Sequence, residues 1–156
     1  MSSLTYALWG AAAGALIPLM AILNGGLARG VGGTIPATVI LFATALLAAL
    51  LVAVVARVPA PSAATLLRIA PQQYAGGLIV AFYILSITFL APRFGVGNAI
   101  LFAVSAQLVT SAVIDHFAIA GAAPRPLTVT RVLGLVVVVA GVVITQAGDR
   151  LAGAFR

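Results

Sequence analysis

The residues able to do chemistry are few, and most of them lie in one stretch, residues 105–117, SAQLVTSAVIDHF. This stretch is apolar enough to lie in lipid, yet it contains Gln107, Ser111, Asp115 and His116. On a helix, the spacing i, i+4, i+8 places Gln107, Ser111 and Asp115 along one stripe. Polar groups at membrane depth are costly, so they usually face a bundle interior, a cavity or a partner. These side chains could therefore contact a polar solute, form an ion pair or take part in a proton-linked switch.

The same set of residues argues against an enzyme. Asp115 is one of two acidic residues in the chain, His116 is the one histidine, and there is no cysteine. The sequence has no glycine-rich phosphate loop followed by lysine, no nucleophile motif and no paired carboxylate. One histidine and one neighbouring aspartate are also too few ligands for a metal site. We predict no catalytic residue, no metal and no cofactor.

Composition places the chain in a membrane. Hydrophobic residues make up 63% of it and charged residues 6%, whereas a soluble domain is about half apolar and a quarter charged. The apolar runs are continuous rather than alternating, which favours helices over a transmembrane barrel. The net charge of +6 comes from arginines that lie singly between apolar runs, a pattern that suits lipid headgroups. No basic cluster with interleaved aromatic residues indicates nucleic acid, so the predicted surroundings are the lipid bilayer.

Five hydrophobic segments predict an all-α integral membrane protein, a single membrane domain over residues 1–156. Each span needs about twenty apolar residues. The expected helices cover about residues 4–28, 34–56, 74–91, 96–120 and 131–147. Residues 62–70 could form a short helix in the membrane interface, because two prolines precede the possible N-cap Ser62 and Pro71 limits the other end.

The distribution of arginines does not favour one orientation of the chain in the membrane. Cytoplasmic loops normally carry the excess of basic residues. With five spans, one side of the membrane would hold Arg57, Arg68, Arg125 and Arg131, and the other Arg29, Arg93, Arg150 and Arg156. This balance suggests dual topology, in which the chain inserts both ways and pairs antiparallel. The alternative is an orientation set by arginine position or by a partner protein.

Several motifs together resemble a known family. The run AQLVTSAVIDHFAIAG, followed by a proline-containing loop and RVLGLVVVVAGVVI, resembles the YdcZ-like five-helix family of the drug/metabolite transporter superfamily. The family usually has glycine where this chain has Ala106 and Ala118. The resemblance implies half of an inverted-repeat bundle, a multi-pass protein of the bacterial inner membrane that works as a dimer. The spacing of Gly134 and Gly141 also resembles the dimerising last helix of small multidrug resistance transporters.

Depth separates the candidate site residues into two groups. If the fourth helix is centred near Leu108, Asp115 lies about 10 Å from the centre, near the edge of the hydrocarbon core. Asp115 and His116 are therefore expected to act as a structural tether, or as a gate or coupling site. The expected substrate path consists of Gln107, Tyr83, Asn24, Ser111, Ser105 and Ser86. Asn24 could equally be a helix cap, and Tyr83 could bond another helix instead of a ligand.

The leading functional hypothesis is a secondary transporter, an exporter of small organic solutes. An antiparallel homodimer, or a pairing with a paralogue, would recreate the inverted repeat that encloses a midplane site in many transporters. The alternative is a non-transporting membrane subunit or scaffold. A channel-like pore is disfavoured because the sequence lacks repeated polar rings.

Overall fold

The computed structural model describes residues 2–154, with the side chains of residues 2–148. This part of the chain is all helical, and five of its helices are long and apolar enough to cross a membrane. The predicted fold class is therefore confirmed. The helices are α1 (Ser3–Gly30), α2 (Thr34–Val55), α3 (Ala63–Arg68), α4 (Pro71–Phe94), α5 (Val96–Phe117) and α6 (Val129–Ala154).

Prolines and hydroxyl residues set several helix starts. The Ser2 and Ser62 hydroxyls cap α1 and α3, accepting from the backbone N–H groups three residues on. The third spanning helix, α4, begins at Pro71 and not at residue 74 as expected. Proline suits the first turn of a helix, because the N–H that it lacks would have no partner there. The Tyr74 hydroxyl donates to the Leu66 carbonyl at 2.9 Å, which holds α3 against the start of α4.

The first compact unit, residues 1–97, contains α1, α2 and α4 packed on one another. Its buried residues are Ala21, Asn24, Gly25, Ala37, Thr38, Ile84, Ile87, Thr88 and Ala91. All of them lie in the helix halves nearest the 31–33 turn and Gly95, where small side chains allow close approach. At the opposite end, residues 3–16 of α1 are all exposed. The core of this unit is thus concentrated at one end.

The second compact unit, residues 98–156, consists of nearly all of α5, a connecting loop and α6. Helix α5 ends at Phe117, three residues earlier than expected, because Ala118 and Ala120 adopt φ of 51° and 56°. A left-handed residue cannot continue a right-handed helix. Thr128 starts α6 by accepting from the Arg131 N–H at 3.3 Å.

The expected polar tail after residue 147 begins inside α6, which continues to Ala154. The side chains of Asp149 and Arg150, and the whole of Arg156, lie outside the described residues.

Candidate functional site

An ion pair joins the last turn of α5 to the first turns of α6. Arg131 Nη2 donates to Asp115 Oδ2 at 2.6 Å, and the two side chains are 32% and 30% exposed. A carboxylate near a helix C-terminus is electrostatically unfavourable, and the guanidinium supplies the compensating charge. The Arg125 backbone N–H also donates to the Asp115 carbonyl at 2.9 Å. Asp115 therefore anchors both the loop and α6.

His116 holds the same loop from the neighbouring position. Its Nδ1 accepts a hydrogen bond from the Leu127 backbone N–H at 3.2 Å, and its ring packs edge-on against Phe117 at 4.7 Å. An accepting Nδ1 requires the neutral imidazole with its hydrogen on Nε2. His116 therefore helps to hold the loop through this hydrogen bond.

A second polar contact lies near the opposite end of the α5–α6 pair. Gln146 Nε2 donates to Asn98 Oδ1 at 2.8 Å. Between the two ends, an apolar groove of about 380 Å³ is lined by Val109, Val132, Leu135, Val136, Val139 and Ala140. The sequence analysis missed the Asn98–Gln146 pair. This contact could have been predicted from the two amide side chains, because they lie near the same end of consecutive antiparallel helices.

Gln107 differs from the other polar residues of α5. The midpoint of α5 (Val96–Phe117) falls between Ala106 and Gln107, and the Gln107 side chain is exposed. No hydrogen bond joins it to any other described residue. By contrast, the Ser105 and Ser111 hydroxyls donate to the carbonyls of Leu101 and Leu108 in their own helix. Within the stripe that the spacing predicted, Gln107 is therefore the side chain with its hydrogen-bonding groups still to be satisfied.

The first unit contains buried polar residues of its own. Asn24 is 8% exposed and Thr88 is 2% exposed, and no hydrogen bond joins the side chain of either to another described residue. Thr38 is also buried, but its hydroxyl donates to the Thr34 carbonyl at 2.9 Å. Asn24 is thus a packed residue within α1 and not a cap at its end. Thr88, which the sequence analysis missed, lies on the buried face one turn after Ile84.

The remaining predicted path residues lie on α4. Tyr83 and Ser86 are both half-buried. Ser86 donates to the Phe82 carbonyl at 2.7 Å, whereas the Tyr83 hydroxyl bonds to no other described residue.

Comparison with known proteins decides the family. The family model described as "Putative inner membrane exporter, YdcZ" matches residues 5–144, which include most or all of each spanning helix. The chain belongs to this family. It is therefore a multi-pass protein of the inner membrane, and the description of its family names an exporter. No curated protein and no solved structure matches the chain.

Proposed function

We propose that the chain is a secondary transporter that exports small organic solutes as an antiparallel homodimer of dual topology. The observation that carries this proposal is the exposed amide of Gln107 at the middle of α5. A polar group that no other described residue binds is costly in hydrocarbon. A partner chain or a passing solute would satisfy it, and both are elements of a transporter.

The charge distribution supports insertion in both orientations. Each side of a five-span arrangement would carry four arginines and one acidic residue, Asp115 on one side and Asp149 on the other. The net charge of +6 is then divided as +3 and +3. Since the excess of basic residues directs insertion, an even division leaves both orientations accessible.

The last helix offers a surface for the second copy. A Cβ added at Gly134 or at Gly141 would meet no other atom within 4 Å. The seven-residue spacing puts both glycines on one face of α6, where a neighbouring helix could approach closely. We assign this face to dimer packing.

The proposed path uses the residues whose polar side chains form no hydrogen bond with other described residues, namely Gln107, Asn24 and Tyr83. Ser105, Ser111 and Ser86 line it with hydroxyls that are already bonded to backbone carbonyls. Asp115 and His116 act at the gate, because together they hold the loop between α5 and α6. A neutral polar path of this kind suits a small, weakly polar organic solute.

Two measurements test the proposal. The chain has no cysteine, so Val31→Cys and Ser62→Cys each introduce a single thiol, on opposite sides of the predicted arrangement. A membrane-impermeant thiol reagent applied to intact cells should label about half of each population if both orientations occur. Full labelling of one variant and none of the other would show a single orientation.

The second measurement is transport by the purified protein in liposomes. A panel of neutral and cationic solutes should reveal at least one that moves, and Gln107→Leu should reduce its movement. If no solute moves with or without a proton gradient, the transporter assignment fails and a non-transporting scaffold replaces it.

A further inference from the structure

The middle of α5 has a small residue four positions before Gln107 and another four positions after it. Ala103 lies four residues before Gln107, and Ser111 lies four residues after it. On a helix this spacing places a small residue one turn above and one turn below the amide, on the same face. Small residues allow two helix backbones to approach closely.

At the level of Gln107 this face of α5 turns away from α6, although Asp115, about 80° further around the helix, reaches Arg131. Asn98, which bonds Gln146 of α6, precedes Gln107 by nine residues. Nine residues are about two and a half helical turns, so Gln107 projects from the side of α5 opposite Asn98. The exposed amide is therefore available to something other than α6.

Depth indicates what that partner is. In an antiparallel dimer, a two-fold axis in the membrane plane keeps midplane residues level with their own copies. Asp115 lies about 13 Å from the α5 midpoint, so two copies of it would be separated by about 26 Å along the membrane normal. Gln107 lies within about 1 Å of the midpoint, so its two copies would be level.

We propose that the Gln107 amides of two antiparallel copies bind each other across the dimer axis when no solute is present. This inference rests on the antiparallel dimer proposed above, and it places the Gln107 face of α5 against the second copy in addition to the Gly134–Gly141 face of α6. A carboxamide both donates and accepts, so two of them form a reciprocal pair of N–H···O=C hydrogen bonds without a counter-ion. The partner is thus a second copy of this chain, with Ala103 of one copy facing Ser111 of the other. A solute that enters the midplane breaks this pair, and its own polar groups then form hydrogen bonds with the two amides.

Cysteine cross-linking in inner-membrane vesicles tests the geometry, because the native chain has no thiol. Gln107→Cys should form a disulfide-linked dimer on oxidation. Ala103→Cys and Ser111→Cys should each cross-link poorly alone, because self-pairs would be about 12 Å apart along the axis and disulfides need Cα atoms within about 7 Å. Differently tagged Ala103→Cys and Ser111→Cys chains, expressed together, should cross-link to each other.

The alternative outcomes separate this inference from the proposed function. Strong self-cross-linking at all three positions would show parallel pairing and overturn both. Absence of cross-linking at every position, in a protein whose loops label in both orientations and which still transports, would overturn only the amide pair. In that case a different face forms the dimer.

Dimer affinity tests the hydrogen bonds themselves. Gln107→Leu replaces the amide with an apolar side chain of similar size. It should lower the affinity of the detergent-solubilised dimer about threefold to thirtyfold, the range for interhelical polar pairs. Thr44→Ala is the control, because its hydroxyl is bonded within its own helix α2, to the Ile40 carbonyl, and its affinity should stay near that of the native chain. Unchanged affinity for Gln107→Leu would overturn the pairing even if cross-links form.

Discussion

The ion pair between Asp115 and Arg131 is the contact whose loss should most clearly alter the α5–α6 unit. Asp115→Asn keeps the side-chain volume but removes the carboxylate charge, and Arg131→Gln removes the guanidinium. Either change leaves one member of a 2.6 Å pair without its counter-charge. We therefore expect each single variant to lower the free energy of unfolding.

The geometry and exposure of the pair fix the expected size of this effect. A charge-assisted hydrogen bond contributes about 1.5–3 kcal/mol, whereas fully exposed pairs contribute about 0–1 kcal/mol. Both side chains are close to one-third exposed, so solvent and headgroups screen part of the attraction. We expect a loss of about 1–2 kcal/mol for each single variant. The double variant should lose little more free energy of unfolding than either single variant. The coupling energy between Asp115 and Arg131 should then be similar to the loss in one single variant.

The assay is reversible unfolding in mixed micelles, with helix content followed by circular dichroism as sodium dodecyl sulfate is added. Arg125→Gln is the matched control, because it removes the same charge from the same loop region. The Arg125 side chain forms no hydrogen bond or ion pair with the other described residues, and only its backbone contacts Asp115. Additive losses in the double variant, or an equal loss in Arg125→Gln, would show that net charge rather than the pair is responsible.

Three further predictions concern the same unit. Ala118→Gly and Ala120→Gly should each raise the free energy of unfolding by about 0.5–1 kcal/mol, because glycine relieves the backbone strain, whereas Ala122→Gly, at φ −61°, should not. His116→Ala should speed hydrogen exchange of the Leu127 amide, because the acceptor of its N–H is lost. His116→Asn, which offers an amide oxygen near the Nδ1 position, should speed it less. Asn98→Ala and Gln146→Ala should each cost about 0.5–1.5 kcal/mol, while Thr145→Ala, whose hydroxyl bonds the Val142 carbonyl, should cost less.

Long apolar runs made the spanning helices predictable, since twenty such residues have few alternatives to a membrane helix. The end of α5 was not predictable in this way. Ala118 and Ala120 are good helix formers, and only the anchoring of the loop to Asp115 and His116 explains why they adopt left-handed conformations. Tertiary contacts here override local propensity.

The partner of Asp115 shows a similar limit. A carboxylate at a helix C-terminus needs a nearby cation, and the sequence places several arginines, including Arg57, Arg125 and Arg131, on the same side of the membrane as Asp115. Loop geometry selects Arg131, because the short connection returns the chain at the start of α6 directly beside the end of α5. The burial of Thr88 is also a packing result, since its hydropathy does not distinguish it from exposed threonines such as Thr44.

The positions of polar residues along α5 have a consequence for coupling in the proposed dimer. Ionisable Asp115 and His116 lie near one end of α5, about 12 Å from Gln107, and the middle holds a neutral amide. A charged side chain at the centre of a helix costs about 2.5–3.5 kcal/mol on insertion, whereas two amides satisfy each other without any proton. Solute binding at Gln107 should therefore be insensitive to pH. His116 and Asp115 hold the loop between α5 and α6, so in the proposed dimer they should affect the rate at which this loop opens and not the affinity for the solute. Measured solute affinity that changed with pH, in a variant with His116→Asn and Asp115→Asn together, would contradict this separation.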